Sequence, residues 1–305
     1  MRANPPWASG VLLLLLTAPP VIADSVTLLD GERKIGRILG MEGQTLVLSA
    51  QPVPGLPHVE LRLPKSRLAA LEFHADPRRE EFLQSAGQEQ LAEVGLLWER
   101  FAPLLSHPGA PSARIGLRHG LLLLGANQKE GRSNALALFE RIASGAPLPG
   151  EREAARQGVL RCLLAGGHWE RAETEAGSIS KTACGMPLLA EARLTLGLVQ
   201  AARLRAFLED NPRWREDDFV RPERDRLHAS ALDGLLGAAL LPGVPGELAA
   251  RGLRAAMDIY VLAGDQVRAS AVAQDLAAFH AGTSEAAAAL EWLGAQREKA
   301  HSKPK

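Results

Sequence analysis

The apolar residues change their spacing near residue 75, and that change limits the folds open to the chain more than any other feature. In the stretch "HVELRL", Val59, Leu61 and Leu63 alternate with Glu60 and Arg62, so they share one face of an extended strand. From Glu80 to Leu105, by contrast, Leu83, Leu91, Val94, Trp98, Phe101 and Leu105 recur at the spacing of one helix face. A single backbone geometry cannot serve both patterns. The sequence therefore predicts an α+β, multidomain chain: a small sheet over 24–75, then a mostly helical domain over 78–298.

The first part carries strand and turn signals in quick succession. "SVTLLDG" ends in Asp30-Gly31, a strong turn pair, and "RKIGRILGMEG", "TLVLSA", "HVELRL" and "LAALEF" follow as further short runs. The proline-rich "QPVPGLP" between the third and fourth runs cannot join a central ladder. Five short strands in so small a space predict a closed barrel, because closure shelters the edges. After "HADPRR" the pattern predicts helices near 112–126, 132–144, 150–165, 168–180, 187–208, 222–241, 246–263, 265–280 and 283–298. Between them recur "APLPG", "AGG", "CGMP", "DNP", "PGVPG" and "AGD", which predict short connections and antiparallel hairpins. Aromatic residues make up only 4% of the chain, so the helices must pack mainly through small and aliphatic side chains.

The N-terminus, "MRANPPWASGVLLLLLTAPPVIADS", has one early positive charge at Arg2, an apolar run from Val11 to Leu16, and small or apolar residues at Val21 and Ala23. That is the pattern of a signal peptide over 1–23, with cleavage near Ala23 and a periplasmic or extracellular destination. The apolar run is too short for a spanning helix, and no transmembrane segment is expected elsewhere. Basic and acidic residues number 35 each, so charge gives no support to nucleic-acid binding. Cys162 and Cys184 are the only two cysteines. In an oxidising compartment they can form one disulfide, or remain two thiols on helices. The last residues, 299–305, read as a disordered basic tail.

Two resemblances add to this reading. The order of Asp30-Gly31, Gly36, the Leu46–Leu48 strand and the Lys65 to Phe73 run resembles the small SH3-like or Sm-like β-barrels at the start of exported bacterial proteins. That resemblance implies a docking module rather than a catalyst. "GGHWERAE" and "AGDQVRAS" resemble the second half of a tetratricopeptide repeat, with Gly167, Trp169 and Ala172 in one copy and Gly264, Asp265 and Ala269 in the other. "NALALFERIASGAP" adds Ala135 and Phe139. These residues are expected to pack the repeats: Ala for close helix approach, the aromatics to fill gaps between hairpins, Gly to close the turns. The spacings depart from a strict 34-residue period, so the copies are divergent. The family implies a helical solenoid with a concave binding surface.

Signatures of chemistry are missing. The chain has no HExxH, GxxxxGK[ST], GxSxG or GxGxxG, and its eight histidines are scattered. No catalytic, cofactor-binding or metal-binding residue is assigned. The densest charged stretch, "RWREDDFVRPERDRLH", offers Arg213, Trp214, Arg215 and Phe219 as candidate partner-binding residues; the competing reading is a solvated connector between helices. The expectation is a non-enzymatic scaffold or assembly factor of the cell envelope, which binds other envelope proteins or peptides. The alternative is a cell-wall-associated enzyme or a carbohydrate-binding protein with the helical domain as support. The sequence leaves the oligomeric state open.

Overall fold

The computed structural model describes residues 23–51, 57–126 and 128–301. Most of the expected signal peptide, most of the proline-rich loop and the last four residues lie outside them. The chain divides into two compact units, with the break after Asp76.

The first unit is a five-stranded antiparallel sheet: β1 (Asp24–Leu28), β2 (Arg33–Glu42), β3 (Thr45–Ala50), β4 (Val59–Pro64) and β5 (Leu68–Glu72). Their order is β4-β3-β2-β1-β5. The long β2 serves two ladders. Its first residues pair with β1, from Asp24↔Gly36 to Thr27↔Arg33, and its later ones with β3, from Arg37↔Ser49 to Glu42↔Thr45. Gly36 sits at the changeover, where a Cβ would collide with the Ser49 carbonyl oxygen. A register shift between Ile38 and Gly40 bends the strand further. A short 3₁₀ helix (Lys65–Arg67) joins β4 to β5. Among the described residues no ladder connects those two strands, so the sheet is open where the sequence predicted a closed barrel. The apolar positions of β4 show the consequence: Leu61 and Leu63 are half-buried and Val59 is exposed. The core is instead Val26, Leu28, Ile38, Met41, Leu46 and Leu48.

Asp24 locks the start of this unit. Its carboxylate is almost fully buried and accepts the Ile38 N–H at 2.8 Å and the His74 N–H at 2.7 Å. One side chain therefore ties β1 to β2 and to the chain leaving β5. A buried carboxylate persists only with such donors.

The second unit is helical throughout. Where the sequence predicted one helix from Glu80 to Leu105, the chain breaks into α1 (Pro77–Ser85), a 3₁₀ turn (Gln88–Gln90), α2 (Leu91–Phe101) and another 3₁₀ turn (Ala102–Leu104). Gly87 makes the break; its N–H is caught by the Gln90 side-chain oxygen at 2.5 Å. Then come α3 (Ser112–Gly125), α4 (Lys129–Gly145), α5 (Pro149–Ala165), α6 (Trp169–Ser180), α7 (Met186–Asp210), α8 (Arg221–Ala239), α9 (Gly246–Ala263), α10 (Gln266–Phe279) and α11 (Ser284–His301). The last of these runs three residues into the stretch assigned to a disordered tail.

From α2 onward each helix packs against the next in sequence. The odd-numbered helices α3, α5, α7, α9 and α11 also touch one another in succession, whereas no two even-numbered helices pack to a comparable extent. Two of the turns between partners share one geometry. After α5, His168 N–H reaches Leu163 O and Gly167 N–H reaches Leu164 O; after α9, Asp265 N–H reaches Tyr260 O and Gly264 N–H reaches Val261 O. Gly167 and Gly264 stand at φ of 71° and 82°, the left-handed conformation this cap requires. Ala172 and Ala269, each five residues after its glycine, are fully buried. Ala135 and Phe139 are buried with Ala172 in one core cluster. Trp169 departs from its expected packing role: it opens α6 with 41% of its surface exposed, and Phe139 fills the core there instead.

Candidate functional site

Because α4 and α6 stay apart, a cleft of about 470 Å³ opens between them over α5. Each flanking helix contributes residues one turn apart: Glu140, Ala143 and Ser144 from α4, Arg171, Thr174 and Glu175 from α6. Val159, Leu163 and Arg156 of α5 complete the lining. The floor is therefore aliphatic and the rims are charged. Arg156 donates through Nε and Nη2 to Glu175 Oε1 at 3.0 and 2.8 Å, and Arg171 pairs with Glu140 across the cleft from α6 to α4. All four of these side chains keep between about a third and three fifths of their surface in water. Pairs so exposed contribute roughly 0–1 kcal/mol each, so an incoming charge can displace either partner at little cost. The cleft is suited to an amphipathic segment carrying an apolar residue between charges of both signs.

Beside it, α5, α7 and α9 are joined by a charged tie. Glu191 of α7 is fully buried. Arg161 donates to its Oε2 through Nε and Nη2 at 3.1 and 2.7 Å, and Arg251 Nη1 reaches both carboxylate oxygens at 3.1 and 3.3 Å. Two guanidiniums satisfy one desolvated carboxylate, each itself about one third exposed. This arrangement fixes the relative placement of three helices; losing either arginine would leave charge poorly compensated.

Neither cysteine takes part in a bond. Cys162 and Cys184 are free thiols, seated in different core clusters, the first with Ala135 and Phe139, the second against Leu160 and Leu188. Burial, helped by the Glu140 charge, pushes the Cys162 thiol up to about 12. Burial and Glu153 raise that of Cys184 as well. Both thiols stay protonated at neutral pH, the opposite of an activated nucleophile.

The loop between α7 and α8 places its predicted anchors unequally. Phe219 is 96% exposed and Arg213 is exposed. Trp214 is half-buried, with the guanidiniums of Arg215 and Arg224 at 4.7 and 4.5 Å from its ring centroid. Arg215 stacks on Trp214, which is turned onto Arg224 of α8, while Phe219 stands in water. Sequence reasoning passed over Arg156, Glu175, Arg161, Glu191 and Arg251 altogether. Each pairs with a residue 19 to 60 positions away, so no local motif marks them. Among the described residues no group of three or more His, Cys, Asp and Glu is placed to hold a metal ion, and no helix is long and apolar enough to cross a membrane. No protein-family model, no curated protein and no solved structure matches this chain.

Proposed function

We propose that the chain is an exported, non-enzymatic binding scaffold of the cell envelope, which takes up a peptide segment of another protein in the cleft between α4 and α6. The observation that carries this reading is the cleft itself: an aliphatic floor of Val159 and Leu163 between two exposed, exchangeable ion pairs. On this reading the paired helices α3 to α11 are a divergent tetratricopeptide-like solenoid. The row of touching odd-numbered helices and the two identical glycine turns support it. The five strands are read as an SH3-like module, which the strand order and the 3₁₀ connection between β4 and β5 support. A signal peptide ending near Ala23 would deliver the chain, and β1 begins one residue later, at Asp24.

The test compares two proteins in one envelope extract: the wild type and Thr174→Trp, which fills the cleft from an exposed position. The expected result is a partner captured reproducibly by the wild type and lost with Thr174→Trp, while the circular dichroism of the two chains stays the same. Equal capture by both, or none by the wild type, would overturn the proposal.

A further inference from the structure

Beyond the cleft, the region around the loop after α7 holds two buried polar atoms with no partner: Nε of Arg224 and Nε2 of His228. They lie one turn apart on α8, so both project from the same face of the helix. The Trp214 ring lies against the Arg224 guanidinium. Tyr260 of α9 meets the His228 ring edge-on, with centroids 6.3 Å apart. Arg268 of α10 lies over Tyr260 at 6.0 Å, and the Arg215 guanidinium reaches the Gly264 turn between α9 and α10. Two of these cations are paired: Arg224 with Asp225 at 2.7 Å, and Arg268 with Asp265 at 3.3 Å.

A buried Arg Nε–H is always a donor, and leaving it unpaired costs free energy that the fold does not recover here. An acceptor with negative charge would satisfy it and would take the His228 Nε2–H at the same time. We propose that Arg224 and His228, walled by Trp214 and Tyr260, form a binding site for an oxyanion group, a carboxylate or a phosphate. The loop that bears Trp214 closes one side of it. That loop is turned by backbone bonds, Trp214 N–H to Asn211 O at 3.1 Å and Glu216 N–H to Arg213 O at 2.9 Å, and by side chains: Arg221 Nη2 donates to Arg215 O at 2.7 Å, and Asp217 Oδ1 accepts the Phe219 N–H at 2.9 Å. Admission of the group requires this loop to part from α8, where Trp214 rests on the Arg224 guanidinium.

The electrostatics of His228 supply the readout. Burial holds its imidazole below the ordinary histidine pKa; Arg224 and Arg268 push in the same direction, against Asp225 and Asp265. An anion seated beside Arg224 would reverse the balance and raise it. The experiment follows the His228 Cε1–H resonance of the full chain by NMR, with His228→Gln to assign the signal. Inorganic phosphate is titrated in one arm and a tetraglutamate peptide in the other, both at low ionic strength. The expected result is a saturable shift and an upward move of the His228 titration midpoint in at least one arm. Response to phosphate alone assigns a free-anion site; response to the peptide alone assigns a carboxylate borne by a partner. Arg224→Gln should abolish the response. Asp225→Asn, at an exposed position, removes the competing carboxylate and should tighten binding several-fold, which keeps the test open if Arg224→Gln fails to fold. No saturable shift in either arm, or a shift untouched by both variants, would overturn the site.

Discussion

Helices α3 to α5 and helices α7 to α9 use glycine for opposite purposes. In the first group Gly116, Gly120 and Gly158 are sockets for rings. A Cβ on Gly158 would meet Phe139 Cδ1 at 2.5 Å, one on Gly120 would meet Phe139 Cζ at 2.6 Å, and one on Gly116 would meet Trp98 at 2.6 Å. In the second group Gly197, Gly234 and Gly252 let backbones touch. A Cβ on Gly234 would lie 2.6 Å from Gly197 Cα and 2.7 Å from its nitrogen, and one on Gly252 would lie 2.7 Å from Leu235 O. The first group achieves density by wrapping a few large side chains; the second by removing side chains from the seam. A ring can be exchanged for a smaller group, whereas a backbone cannot, so the second seam should tolerate change less well.

The largest effect is expected where the two groups are tied together. Glu191→Ala leaves Arg161 and Arg251 without their shared acceptor and should cost about 4 kcal/mol, read as a lower urea midpoint at unchanged slope. Next comes Gly234→Ala. Even after the roughly 1 kcal/mol that alanine gains in a helix, forcing α7 from α8 should cost about 3 kcal/mol net. Gly158→Ala should cost less, about 2 kcal/mol. Combined with Phe139→Leu, it should fall short of the sum of the two single losses by about 1 kcal/mol, because the smaller side chain vacates the socket. If Gly234→Ala proves no worse than Gly158→Ala, or if the double variant is additive, the contrast between the two seams is wrong. Trp214→Ala, which removes two half-exposed cation–π contacts, should cost about 1 kcal/mol.

The smallest expected effect is a pH dependence. The folded state depresses the His228 pKa, so the stability this contributes is present above the ordinary value of about 6.5 and is lost as pH falls through the folded value. Denaturation midpoints measured from neutral into mildly acid solution should fall less steeply in His228→Gln than in the wild type.

Much of the helical unit was legible because its punctuation is local. Glycine, proline and asparagine pairs between apolar periods placed α3 to α11 within a few residues of their observed ends. Gly87 escaped notice because the apolar positions keep their register across it: Leu83 and Val94 are both buried, on either side of the break. The open edge of the sheet was not legible either. Alternation in "HVELRL" identifies a strand and a preferred face, but burial of that face depends on a neighbour that β4 does not have. The cleft and the Glu191 tie were invisible for a different reason. Their partners are brought together by the stacking of separate helices, and "LAEARL" reads as an ordinary amphipathic segment with one acid too many. The charged loop after α7 stands out by composition, yet only the fold separates Trp214, turned onto α8, from Phe219, left in solvent.

An array in which helices touch mainly their sequence neighbours tends to unravel from its ends, each hairpin letting go in turn. Glu191 alters that, because it binds a helix before it and a helix after it, 30 and 60 residues away. The stretch from α5 to α9 should therefore open as one block, its amides exchanging with solvent at a common slow rate, while α10 and α11 exchange faster and independently.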